Sequence, residues 1–245
     1  VQILFAGKAH QMDAEGRKVA DAKAGSIKSG GSTRRAACMR ILDIDHAEIE
    51  EFIQCKVDAE KMAKVLRDAG YANGIEGGVV DSISWQNANN SVSVSDQFFS
   101  RVLRECGTAQ GNAARAILYS IAQATWDCGD PGLFFEDTIN KWHTTPRRGR
   151  IVSANPCLEV LQTPNTACNL ASMNLLKFLR DDNTFNIPAF RHTVDVMITA
   201  MDILINRSSY PTTAIMHNRR SNRPLALRYS NLRALLMTKG FRYDS

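Results

Sequence analysis

Asn155-Pro156-Cys157-Leu158-Glu159 sets an amide, a thiol and a carboxylate within five residues, and residues 160–167 lead from it to a second thiol at Cys168. These are the functional groups of redox or radical chemistry. Sulfur is oxidised in one- or two-electron steps, a carboxylate accepts a proton, and an amide holds a hydroxyl by hydrogen bonds. A metal site fits less well: structural zinc asks for four Cys or His ligands in tight pairs, and this stretch has no C-x-x-C and no C-x-x-H. Spacing alone leaves a plainer account open, in which Cys157 and Cys168 are small buried hydrophobes, as most free cysteines are.

Outward from this stretch, helices alternate with short apolar runs. Arg150-Ile151-Val152-Ser153 enters it, and residues 171–179 are expected to form a short helix on its far side. Upstream, a helix over 113–126 buries Ile117, Leu118, Ile121 and Ala122; Cys128-Gly129-Asp130-Pro131-Gly132 then breaks it before the strand Leu133-Phe134-Phe135. Ser91-Val92-Ser93-Val94-Ser95 alternates as a strand with one buried face does. Asp45, with Glu48 three residues on, reads as a helix N-cap; Ile49, Phe52, Ile53, Val57, Val65 and Leu66 form one apolar face, and Gly70 ends it. Residues 36–44 suit a buried strand, glycines mark a loop over 73–81, and 13–24 is a polar, helical run. Downstream, Phe190, Val194, Met197, Ile198, Met201, Leu204 and Ile205 repeat at three and four, with Pro188 at the helix start and the methionines in the core.

The alternation argues for an α/β fold. With 245 residues and 44% hydrophobic content the chain can bury a sizeable core. Six cysteines without a framework pattern suggest a reducing, cytoplasmic setting, and no apolar run reaches membrane-spanning length. The net charge of +5 favours an anionic small molecule such as a nucleotide. Nucleic acid is not indicated, since Arg147-Arg148-Arg150 and Arg219-Arg220-Arg223 lack interleaved aromatics and read as solvated surface.

Asn155-Pro156-Cys157-Leu158-Glu159, followed by Asn165-Thr166-Ala167-Cys168-Asn169-Leu170-Ala171-Ser172-Met173-Asn174-Leu175, resembles the active-site finger loop of the ribonucleotide reductase large chain. Further segments match in order. They are Lys28-Ser29-Gly30-Gly31-Ser32-Thr33-Arg34-Arg35, Trp85 to Val94, Trp126 to Leu133 and Asp137 to Pro146. The Gly30-Gly31 and Arg34-Arg35 pairs resemble the adenosylcobalamin-dependent class II branch, although Ser32 stands where a lysine is usual. In the segment 223–237, Ala226, Arg228 and Arg233 replace the family's glycines.

The resemblance implies a fold and a set of roles. The fold is a ten-stranded α/β barrel with the Cys157 loop at its centre, of which residues 1–245 are one partial domain, truncated at both ends relative to the family. Cys157 carries the thiyl radical, Glu159 is the base and Asn155 holds the ribose; Asn155, Pro156, Cys157, Leu158, Glu159 and Gly30 contact the ribonucleotide. Cys168 is one member of a redox disulfide whose partner is not among these residues. Gly31, Ser32, Thr33, Arg34 and Arg35 form a loop linked to a nucleotide effector. Adenosylcobalamin is the implied cofactor, with no protein-bound metal and no cobalamin-binding D-x-H-x-x-G. A thiol reductant such as thioredoxin is the implied partner, a homodimer is compatible, and no membrane is involved. On this reading the 245 residues alone are expected to be inactive. Two alternatives stand beside it: the iron-dependent class I large subunit, and a non-catalytic remnant that at most binds nucleotide.

Overall fold

The computed structural model describes residues 2–8, 21–22, 37–71, 78–79, 83–85, 87–210 and 212–244. The chain divides into two compact units, Leu4–Thr166 and Ala167–Ser245 with Val1–Ile3. The loop over 28–35 and most of the runs expected at 13–24 and 73–81 lie outside the described residues.

In the larger unit the strands β1 (Gln2–Lys8), β2 (Ala37–Asp43), β3 (Ala88–Val94) and β4 (Gly132–Phe135) pair side by side in that order, every pair parallel. Parallel neighbours need a crossover, and helices supply it. α1 (Ile49–Asp68) links β2 to β3, and α2 (Asp96–Arg104) with α3 (Ala109–Cys128) links β3 to β4. α4 (Glu136–Lys141) follows, and then a short antiparallel hairpin of β5 (Ser153–Ala154) and β6 (Leu161–Gln162).

Successive side chains of a strand point to opposite faces, so β2 separates two cores. Leu42 joins Ile44, Val92 and Val94 against Ile49, Phe52, Ile53 and Val57 of α1, Phe98 and Val102 of α2, and Ala114, Ile121 and Ala124 of α3. Met39 and Ile41 pack instead with Phe134, Ile151 and Ala154, the residues that lead into and form the hairpin.

A polar group lies against β2 as well. Arg40, 5% exposed, sits 4.5 Å from the centre of the Trp85 ring and 3.9 Å from an oxygen of Asp21, and its register partner on β3 is Asn90. The Asn90 amide donates to Asp130 Oδ1 (3.1 Å), whose other oxygen accepts from Lys56 of α1.

Three local expectations change. β3 begins at Ala88 and is buried on both faces, with Ser91 and Ser93 as enclosed as Val92 and Val94. A strand between two parallel neighbours is covered on both sides, so alternation of residue type does not mean alternation of exposure. Asp45 does not cap α1: the cap is Glu48, without a side-chain cap bond, and Asp45 instead approaches Arg101 (3.6 Å). Val65 (67% exposed) and Ala122 lie off the buried stripes, whereas Gly70, at φ +87°, does end the first helix as expected.

The smaller unit pairs β7 (Thr166–Asn174) with β8 (Leu225–Ser230), again parallel, through α5 (Ile187–Arg207) and α6 (Thr213–Asn222), and ends in α7 (Leu232–Thr238). Asn186 caps α5 by accepting from the Ala189 amide (3.2 Å), Pro188 lies in its first turn, and Met201 and Ile205 are fully buried. Residues 171–174 are strand rather than helix, held in register with Leu227 to Ser230; only Leu175–Phe178 is helical, as a 3-10 turn. The tail is strand then helix, so Ala226 and Arg228 lie on β8 and Arg233 on α7, with both arginines exposed. Arg219, expected at the surface, is 0% exposed.

Candidate active site

The β5–β6 hairpin presents Asn155 to Val160 as a six-residue loop. Ser153 pairs with Gln162 and Ala154 with Leu161. Asn155 closes the loop twice: its amide donates to the Val160 carbonyl (3.1 Å), and its Oδ1 accepts from the Val160 amide (2.8 Å). Its own carbonyl accepts from the Leu158 amide (3.0 Å), which makes Asn155 to Leu158 a tight turn with Pro156 and Cys157 at its corners. Asn155 and Pro156 are buried, Cys157 and Glu159 exposed.

Leu158 sits between the two reactive side chains in the left-handed region, at φ 64°, a conformation that costs a non-glycine residue about 1–2 kcal/mol. Packing offsets that cost. The Leu158 side chain lies against the Met39, Ile41, Phe134, Ile151 and Ala154 cluster, so it anchors the loop while its neighbours face solvent. Gly132 of β4 leaves the room: a Cβ there would come 3.1 Å from Leu158 Cδ1.

Polar residues brace the loop from outside. Asn89 Nδ2 donates to the Pro156 carbonyl (2.8 Å). Asn140 grips the entering strand on both edges, with Nδ2 to the Ile151 carbonyl and Oδ1 from the Ile151 amide, each 2.9 Å. Ser153 Oγ donates to the carbonyls of Gln162 (3.1 Å) and Thr163 (3.2 Å). Reading the sequence did not assign roles to Asn89, Asn140 or Gly132. Asn89 stood in an asparagine-rich run, the one visible signal, but eleven residues separate Asn140 from Ile151 and no spacing rule joins them.

The chemistry available is specific. An exposed thiol and an exposed carboxylate lie two residues apart on a rigid turn, and the buried Asn155 Nδ2 has no hydrogen-bond partner among the described residues. Cys168 is buried in β7 of the other unit, 1% exposed, and all six cysteines are free of disulfides. Burial pushes the Cys38, Cys55 and Cys128 thiols up, which keeps them protonated and unreactive near neutral pH. Gly30 and the loop Gly31, Ser32, Thr33, Arg34 and Arg35 lie outside the described residues. Among the described residues no group of three or more His, Cys, Asp or Glu is placed to hold a metal ion, and no helix is long and apolar enough to cross a membrane.

The family profile of the ribonucleotide reductase barrel domain matches residues 14–109 and 107–245. The chain belongs to this family. Among curated relatives, the vitamin B12-dependent ribonucleotide reductase of Streptomyces clavuligerus is 49% identical over 242 residues, covering 92% of this chain and 25% of the relative. That of Rhodopirellula baltica is 42% identical over 240 residues, covering 93% and 23%. The vitamin B12-dependent ribonucleoside-diphosphate reductase of Mycobacterium tuberculosis is 32% identical over 235 residues, covering 92% and 30%. The chain thus spans about a quarter of the length of these ribonucleotide reductases. Among solved structures, the alpha subunit of an Actinobacillus ureae class Id ribonucleotide reductase aligns with a TM-score of 0.63 at 19% identity, over 97% of this chain and 41% of that one. That likeness carries the α/β barrel fold alone.

Proposed function

We propose that residues 1–245 form one portion of the catalytic barrel of an adenosylcobalamin-dependent ribonucleotide reductase, with Asn155 to Glu159 as the radical finger loop. The single observation that carries this reading is the loop geometry: Leu158 packs inward and leaves the Cys157 thiol and the Glu159 carboxylate exposed on either side of it. A hydrogen abstractor and a base must both reach one ribose, and a pre-formed turn meets that demand.

The fit of the cofactor rests on that exposed S–H, which a carbon-centred radical can reach. When bound, adenosylcobalamin would supply such a radical to the Cys157 thiol. The chain's own residues do the rest. The Cys157 thiyl removes the 3′ hydrogen of the ribonucleotide and later returns it, Glu159 takes the proton of the 3′ hydroxyl, and Asn155 Nδ2 donates to the sugar. The 2′ hydroxyl leaves as water. Cys168 and a second cysteine give up two electrons and two protons and become a disulfide, so one ribonucleotide and two thiols yield one deoxyribonucleotide, one disulfide and one water. A dithiol protein such as thioredoxin then restores the thiols. A nucleotide effector acting through residues 31–35 and a homodimer complete the proposed assembly.

The test is an anaerobic assay with adenosylcobalamin and a dithiol, run on the 245-residue chain and on a chimera in which it replaces the matching segment of the Streptomyces clavuligerus reductase. The chimera is expected to form deoxyribonucleotide, the 245-residue chain alone none. Cys157→Ala in the chimera should abolish product, and Glu159→Gln should lower it by about a hundredfold or more. Undiminished product from Cys157→Ala would contradict the proposal.

A further inference from the structure

Among the described residues, Arg219 is the largest side chain that is fully enclosed. A buried guanidinium is costly unless its donors and its charge are met. Here Nη1 donates to the Pro224 carbonyl, while Nε and Nη2 have no hydrogen-bond partner among the described residues. Pro224 immediately precedes Leu225, whose register partner on β7 is Asn169, the residue after Cys168. Paired strands lie about 4.8 Å apart, so the bond to Pro224 fixes the guanidinium beside the strand segment that carries the buried thiol. The electrostatics agree with this placement: burial lowers the Arg219 pKa, Tyr210 raises it through its charge and a side-chain hydrogen bond, and Cys168 raises it through its charge.

Among the described residues, the other groups that act on Arg219 are Tyr210 and Arg223. The Tyr210 hydroxyl donates to the Ile205 carbonyl (2.9 Å), which commits its proton. Arg223 is paired with Asp202 of α5, Nε to Oδ1 at 2.7 Å. Arg219 has no carboxylate ion pair among the described residues, and the sulfur of Cys168 is an acidic group within its field.

We propose that Arg219 is a positioning residue for the Cys168 thiol, a buried positive charge that favours the thiolate and so makes Cys168 the readier electron donor of its pair. This rests on the reading of Cys168 as one half of the reducing dithiol. Arg219 exchanges no atom or electron itself; it shifts the proton equilibrium of Cys168 before the sulfur–sulfur bond forms.

The test is a pH titration of the ultraviolet absorption of thiolate in the 245-residue chain, taken as a difference against its Cys168→Ser variant so that only Cys168 contributes. Arg219→Gln should raise the Cys168 midpoint by roughly one pH unit, and Arg219→Lys, which keeps the charge, should leave it close to the parent value. Circular dichroism reports whether each variant is folded. An unmoved midpoint in folded Arg219→Gln overturns the inference; so does Arg219→Lys moving as far as Arg219→Gln, since that would make packing and not charge the cause. Neither outcome depends on catalysis. The reading of Cys168 as a reductant fails separately, if Cys168→Ser in the chimera still forms deoxyribonucleotide over many turnovers with the dithiol supplied.

Discussion

Leu158 decides how the loop is held, because one residue at positive φ, packed inward, leaves the Cys157 thiol and the Glu159 carboxylate exposed on either side of it. Its anchorage depends on Gly132. In Gly132→Ala the new Cβ meets Ser91 Oγ at 3.0 Å and Leu158 Cδ1 at 3.1 Å, so both must give by a few tenths of an ångström in a packed core. The expected result is a loss of about 1 kcal/mol and faster hydrogen exchange of the Val160 amide; unchanged exchange would mean that Leu158 does not hold the loop down. Asn155→Ala removes the acceptor of that same amide and is expected to cost about 1–2 kcal/mol in urea unfolding. The residues of the motif were legible in the sequence, down to the order of amide, thiol and carboxylate. The inward turn of Leu158 was not, because a positive φ at leucine runs against local preference and is set by a cavity that β2 and β4 create.

At the scale of elements, polar contacts between helices and strands set the geometry that hydrophobic periodicity leaves open. Asp130, in the turn after α3, ties Lys56 of α1 and the Asn90 amide of β3. Asp130→Ala should cost about 2 kcal/mol, read as a lower urea midpoint with unchanged slope. In the smaller unit Arg223 holds Asp202, and that hydrogen bond keeps the Asp202 carboxyl below the ordinary carboxylate range. A depressed carboxylate contributes stability that is complete above its unfolded pKa and is lost as pH falls through its lower folded value. Acid titration followed by NMR should therefore show Asp202 protonating at lower pH in the parent chain than in Arg223→Ala, where the hydrogen bond is gone. The cysteines give a third check: iodoacetamide at neutral pH should label exposed Cys106 and Cys157 ahead of Cys38 and Cys55, whose thiols burial holds protonated. Periodicity found β2, α1, α3, β4 and α5. It misassigned 171–174, where strand pairing between β7 and β8 overrides local helical preference.

For the whole molecule, membership of the ribonucleotide reductase barrel family and the parallel strands of the larger unit agree on an α/β fold, and the radical role of the finger loop is the proposal to be tested. The α/β class was visible from alternating elements, but the barrel was not, since closure depends on pairings between distant strands that no local pattern records. Arg219 was read as surface for the same reason. Its neighbours in sequence, Arg220 and Asn218, are polar, and its burial comes with contacts to residues distant in sequence, which no local pattern records.

The central claim is that the unpaired electron resides on Cys157. Freeze-quenched electron paramagnetic resonance of the chimera with adenosylcobalamin and ribonucleotide tests it most directly, run once with ordinary cysteine and once with cysteine deuterated at its β-carbon. The account predicts an organic radical signal that narrows on deuteration, because an electron on sulfur couples to the adjacent methylene hydrogens, and that is lost in Cys157→Ser. A signal of equal width in both samples, or one that persists in Cys157→Ser, would contradict it.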